Sequence, residues 1–132
     1  MAYWPGSKQQ GLIRPRNDSA GANSQNGGMQ PKSCLTDTFI DCDLTSLKSI
    51  QVAAKRFLSA SDRLDILVCN AGIMAVDPGT TKEGIEIQFG TNHLGHASLI
   101  KLLLPLMLQT AQSPDSDVRI INLSSIAYQQ AP

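Results

Sequence analysis

The sequence predicts an α/β fold, a parallel sheet of three strands joined by two crossover helices and preceded by a disordered N-terminal segment. Three observations carry this reading. Composition changes abruptly near residue 36, apolar spacing then alternates between strand-like and helix-like, and small or polar clusters follow each strand.

Residues 1–36 are rich in Gly, Ser, Asn, Gln and Pro and show neither helical nor strand periodicity. Such a segment buries too little apolar surface to offset the roughly 1–2 kcal/mol of ordering entropy per residue, so it is expected to be disordered. Residues 37–132 form the folded unit. Thr38–Cys42 is a short strand candidate, and Asp43-Leu44-Thr45 is suited to capping a helix start. Leu47, Ile50, Ala54, Phe57 and Leu58 recur at helical spacing through about Ala60. The apolar run within Leu64–Cys69 reads as a strand covered on both faces. A Gly-, Pro-, Asp- and Thr-rich turn spans 71–81. A long helix over about Lys82 to Gln109 follows, with Phe89, His93, His96, Ile100, Leu103 and Met107 along one stripe. Pro105 removes a backbone donor and is expected to bend its last turns. After the loop at 112–117, Val118–Leu123 reads as a third buried strand ending at Ser124-Ser125.

The 132 residues are 42% hydrophobic and 17% charged, enough for one domain and not two. Eleven basic residues balance eleven acidic ones, which removes the usual electrostatic reason to bind nucleic acid or an anionic membrane. The first residues lack the apolar core of a signal peptide. The apolar stretch Leu99–Leu108 is broken by Lys101 and Pro105 and is too short to span a bilayer. Cys34, Cys42 and Cys69 match neither a zinc pattern nor a disulfide framework, so a cytoplasmic setting is expected.

In a parallel sheet, ligands sit outside the carboxyl ends of the strands, where Asp43, Asn70-Ala71-Gly72 and Ser124-Ser125 fall here. Small residues after a strand let a ligand approach the backbone closely, although an isolated Asn-Ala-Gly also serves as a plain turn. Asn92 lies inside a helical pattern, where Asn is a mediocre former, so its amide has either a role or a merely tolerated place. His93 and His96 share a helix face without a third metal ligand nearby, so no metal is expected. A serine after the last strand could hydrogen-bond a substrate oxygen, or simply form a turn. Asn122–Ile126 is not the Gly-x-Ser-x-Gly elbow of a serine nucleophile.

Taken in register, these pieces resemble the short-chain dehydrogenase/reductase family over about residues 38–128. The matching motifs are Asp43-Leu44, Asn70-Ala71-Gly72, Asn92-His93-Leu94-Gly95 and Ile121-Asn122-Leu123-Ser124-Ser125, with Leu104-Pro105-Leu106-Met107 also similar. Residues 85–108 resemble the retinol-dehydrogenase-like branch. The resemblance implies an incomplete, doubly wound parallel sheet, a partial NAD(P)-binding Rossmann domain holding the third to fifth strands. It also implies an oxidoreductase acting on a small-molecule alcohol or carbonyl. In that reading Asp43, with Leu44 beside it, meets the cofactor adenine, and Asn70, Ala71 and Gly72 line the ribose. Leu123 and Ser124 border the nicotinamide, Asn92 holds a water in a proton relay, and Ser125 orients the substrate oxygen.

Two parts of the family pattern have no counterpart. Gly21, Gly27 and Gly28 lack the spacing of a Gly-x-x-x-Gly-x-Gly phosphate loop, no apolar strand precedes them, and Pro31 stands where a helix would start. The residue four after Tyr128 is Pro132, so Tyr-x-x-x-Lys is absent. NAD or NADP binding by this chain is therefore expected to be weak or absent, and turnover absent. The first two strands of the sheet are missing too. This leaves the 38–42 strand without a neighbour and the 64–69 strand paired only with 118–123. Self-association through exposed strand edges is expected. A non-enzymatic remnant that pairs with a partner chain is the alternative reading.

Overall fold

The computed structural model describes residues 11–13, 38–126 and 129. The predicted strand at 38–42 is Thr38–Ile40 (β2), followed by a helix at Leu47–Ala60 (α1). Ser46, in extended conformation, caps α1, and its Oγ accepts from the Ser49 N–H at 3.4 Å. The cap thus lies beyond the predicted Asp43–Thr45. The Asp43 carboxylate instead turns back on Thr45, accepting from its N–H at 2.9 Å and its hydroxyl at 2.6 Å. α1 buries Ile50, Ala53, Ala54 and Phe57 against the rest of the core, each large side chain contributing about 1.5–3 kcal/mol. Leu58, expected on this face, points to solvent.

Ile66–Cys69 (β3) and Arg119–Asn122 (β4) form a parallel pair, with Ile66 opposite Arg119 and Cys69 opposite Asn122. The crossover between them contains a short helical turn at Ile87–Phe89 (α2), a π-helical stretch at Gly90–Gly95, and a helix at His96–Thr110 (α3). The predicted long helix is therefore three segments and starts later than Lys82. α3 packs on α1, and Ile40, Leu44, Ile50, Phe57, Leu67, Leu103 and Met107 share one core. Thr110 locks the end of α3 to the entry of β3. Its Oγ1 accepts from the buried Leu64 N–H at 3.0 Å while its hydroxyl donates to the Leu106 carbonyl at 2.9 Å.

Three expectations change. β3 is covered on one face only: Leu67 and Cys69 point inward, but Ile66 is 54% exposed and Val68 52%. β4, expected to be buried, is exposed along its length. The helices occupy one side of this pair, and among the described residues nothing covers the other. On the helix side, an apolar groove of about 340 Å³ opens between α3 and β4, lined among others by Leu104, Leu108, Val118 and Ile120. Lastly, β2 does have a neighbour. Gly11–Ile13 (β1) pairs with it antiparallel, Gly11 opposite Ile40 and Ile13 opposite Thr38. The remainder of the 1–36 segment and Tyr128 lie outside the described residues.

Candidate functional site

The π-helical stretch is the hub of the strand tips. A π turn is a wide turn inside a helix, and such insertions often mark functional sites. Here it carries Asn92, whose side chain grips the loop after β3 at both ends of one residue. Asn92 Oδ1 accepts from the Ile73 N–H at 2.8 Å, and its Nδ2 donates to the Ile73 carbonyl at 2.7 Å. A Cβ on Gly72 would stand 3.4 Å from Asn92 Oδ1, an ordinary contact, so Gly72 borders the clamp without being required by it. This grip ties the exposed Asn70, the half-buried Ala71 and the exposed Gly72 to the helix.

The Asn92 carbonyl meets a side chain. His96 Nδ1 lies 2.9 Å from it, and because a carbonyl only accepts, the ring carries its proton on Nδ1. His93 stacks on Phe89 with centroids 5.2 Å apart. The two histidines therefore have separate duties. Among the described residues, no group of three or more His, Cys, Asp or Glu side chains converges as a metal site would require. The insertion also re-phases the helix: His96, Leu103 and Met107 face the core, while Phe89 and His93, read on the same stripe, face solvent. Thr91, in the same stretch, has a buried hydroxyl without a hydrogen-bond partner.

The other end of the hub touches the β2 tip. A Cβ on Gly95 would come within 2.9 Å of the Leu44 carbonyl and 3.0 Å of Leu44 Cβ, so only glycine permits this approach. Leu44 is buried beneath Asp43. Burial works to raise the Asp43 pKa, but hydrogen bonds from the Thr45 hydroxyl and amide, and the ammonium of Lys82 at 3.1 Å, outweigh it and hold the carboxyl below its ordinary 3.8. At the β4 tip the parallel ladder continues one step further, the Leu123 N–H donating to the Cys69 carbonyl at 3.1 Å, which sets Leu123 beside the start of Asn70-Ala71-Gly72. Leu123, Ser124 and Ser125 are exposed on this rim. The structure thus joins the Asp43-Leu44 and Asn70–Gly72 tips through residues 90–95, and the Asn70 and Leu123 tips through the sheet.

A dinucleotide also needs a seat for its diphosphate, in a parallel sheet usually the free amides of a helix N-terminus. Here several of those amides are already answered. At the start of α1, the Leu47 N–H donates to Glu83 Oε1 at 2.8 Å and the Ser49 N–H to Ser46 Oγ. At the start of α2, the Gln88 and Phe89 N–H groups donate to the two Glu86 carboxylate oxygens at 2.9 and 2.7 Å. The carboxylates of Glu83 and Glu86, at the starts of α1 and α2, repel an anion there. At these two helix starts, therefore, the amides named are not free to seat a diphosphate. The contacts of Glu83, Glu86 and Lys82 went unnoticed in the sequence, and Gly95 was read only as part of Asn92-His93-Leu94-Gly95. Their partners lie between 2 and 51 positions away, and only Glu86, three before Phe89 at a helix start, carried a local signal.

Comparison with known proteins agrees with this layout. The short chain dehydrogenase family profile matches residues 20–132. The chain is similar to retinol dehydrogenase 13 of Homo sapiens, 49% identical over 86 residues, covering 65% of this chain and 24% of that protein. It is similar to short-chain dehydrogenase TIC 32 A, chloroplastic, of Brassica napus, 39% identical over 120 residues, covering 89% of this chain and 37% of that one. Short-chain dehydrogenase/reductase prx1 of Penicillium rubens is 42% identical over 89 residues, covering 67% and 26%. The chain thus spans between about a quarter and two fifths of these relatives.

Proposed function

The chain belongs to the short-chain dehydrogenase family, and from that premise we propose that it is the central part of an NAD(P)-dependent oxidoreductase interconverting an alcohol and a carbonyl, and that these 132 residues alone neither bind the cofactor tightly nor turn over. Within that reading Ser125 hydrogen-bonds the substrate oxygen. Asn92 has spent one donor and one acceptor on Ile73, and an amide has two of each, so a second pair is left for a relay water. Asp43 and Leu44 face the adenine, and Leu123 and Ser124 the nicotinamide. A retinoid-like apolar alcohol is the substrate class suggested by the name of the human relative. A cytoplasmic setting belongs to the same proposal, on the ground that the cysteines match no disulfide framework and that Cys42 and Cys69 are free and buried.

The observation that carries the inactive half is a sequence that has neither a phosphate loop nor Tyr-x-x-x-Lys, combined with the carboxylates at the starts of α1 and α2. Without a positioned acid or base, a reaction of this type forfeits about 10²–10⁴ in rate. Thermal unfolding with millimolar NAD(H) or NADP(H), alongside a turnover assay on short and long alcohols, tests it. The melting temperature is expected to stay where it is without nucleotide and turnover at background. A cofactor-dependent rise of several degrees, or saturable turnover, overturns the proposal.

The exposed Ile66, Val68, Ile121 and Leu123 favour a second reading, in which the chain is a non-enzymatic remnant that pairs through the β3–β4 layer. Sedimentation of the chain alone and of a Val68→Lys variant separates the two. A monomeric chain unaffected by the substitution removes this reading.

A further inference from the structure

We propose that Gly11–Ile13 is an intramolecular guard strand, holding an edge of β2 that would otherwise accept a strand from a second copy of this chain. β2 is a Thr-Phe-Ile segment of high strand propensity, without a charge or proline to discourage pairing. Ile40 is anchored in the core at 2% exposure, while Phe39 stands 45% exposed, so the strand is rigidly mounted and offers an apolar side chain outward. Among the described residues its only strand partner is β1, in antiparallel register from Gly11–Ile40 to Ile13–Thr38. A tethered segment competes with a free one as though present at about millimolar concentration. The guard therefore prevails over a second copy at ordinary protein concentrations, although it is only three residues long.

The test is the full chain carrying Leu12→Pro with Ile13→Pro. Along an antiparallel ladder, alternate residues donate their N–H to the partner strand, so two successive prolines remove a donor in either phasing. Ser19→Pro with Ala20→Pro serves as the control, with the same chemistry outside the strand. Amide exchange at whichever of Phe39 and Ile40 donates to β1 is expected to quicken by about tenfold or more in the first variant only, with exchange at Ile50 and Phe57 in α1 unchanged. Sedimentation is expected to show added association growing with concentration. Any association driven by the β3–β4 layer is common to wild type and variant, so the excess reports on β2. Adding Phe39→Lys to the double-proline chain is expected to abolish that excess. Unchanged exchange at Phe39 and Ile40, faster exchange without extra association, or an excess that survives Phe39→Lys overturns the proposal.

Discussion

Replacing Asn92 with Ala removes both hydrogen bonds that hold Ile73, in the loop after β3, to the π-helical stretch. Each bond is worth about 0.5–1.5 kcal/mol net, and the exposure of Asn92 puts the pair near the lower half of that range, about 1–2 kcal/mol together. Alanine returns roughly 0.5 kcal/mol through its higher helix propensity. The expected net loss is therefore about 0.5–1.5 kcal/mol, which in a folded unit of this size lowers the melting temperature by about 3–8 °C. The more specific readout is local. The Ile73 amide is expected to lose its exchange protection while amides in α1 keep theirs. Asn92→Asp sharpens the test. It keeps an acceptor for the Ile73 N–H but sets a carboxylate oxygen against the Ile73 carbonyl, now 2.7 Å from Nδ2, so it is expected to cost at least as much as alanine. A merely tolerated surface polar residue would accept Asp with little change. Wild-type exchange at Ile73 in Asn92→Ala would refute the clamp.

Other perturbations follow from single contacts. Thr110→Val leaves the buried Leu64 N–H without an acceptor, and chemical denaturation is expected to show a loss of about 1–3 kcal/mol, with Thr110→Ser recovering most of it. Stability equal to wild type in the valine variant would contradict the lock between α3 and β3. Gly95→Ala forces a methyl to within 2.9 Å of the Leu44 carbonyl, with an expected cost of about 1–3 kcal/mol in the same assay, whereas Gly79→Ala, in open surroundings, is expected to cost far less. A neutral Gly95→Ala would mean that the β2 tip and the π-helical stretch are not in contact. Asp43 is held more acidic in the folded chain than in the unfolded one. Its contribution is therefore complete above about pH 4 and is lost as pH falls through its lowered value. Asp43→Asn is expected to flatten that part of the stability profile, and an unchanged acid limb would contradict the assignment.

How far the sequence could be read depended on whether a feature is local. The spacing of Ile50, Ala54 and Phe57 located α1, whose observed limits, Leu47–Ala60, are those the periodicity implied. The parallel pairing of β3 with β4 was legible from strand-helix-strand order. Burial of those strands was not, because an apolar run shows that a strand can be covered and not whether a covering layer exists. Ile66 and Val68 show the difference. The π-helical stretch was hidden because one widened turn preserves an apolar stripe on paper while rotating Phe89 and His93 off the buried face. Glu83 on the α1 start and Thr110 beneath β3 reach partners 36 and 46 positions away, which no local pattern announces. The β1 pairing was missed for a related reason. Gly-Leu-Ile inside a polar segment carries no periodicity and becomes a strand only when β2 supplies the ladder.

The most direct measurement is a titration of the purified chain with NADPH and NADH, following the fluorescence of the reduced nicotinamide. With Glu83 and Glu86 across the two helix starts and no glycine-rich turn to seat a diphosphate, the signal is expected to rise linearly with added nucleotide up to millimolar concentration. A saturable isotherm with a micromolar Kd would show that some part of this chain does grip the diphosphate, and would contradict the account.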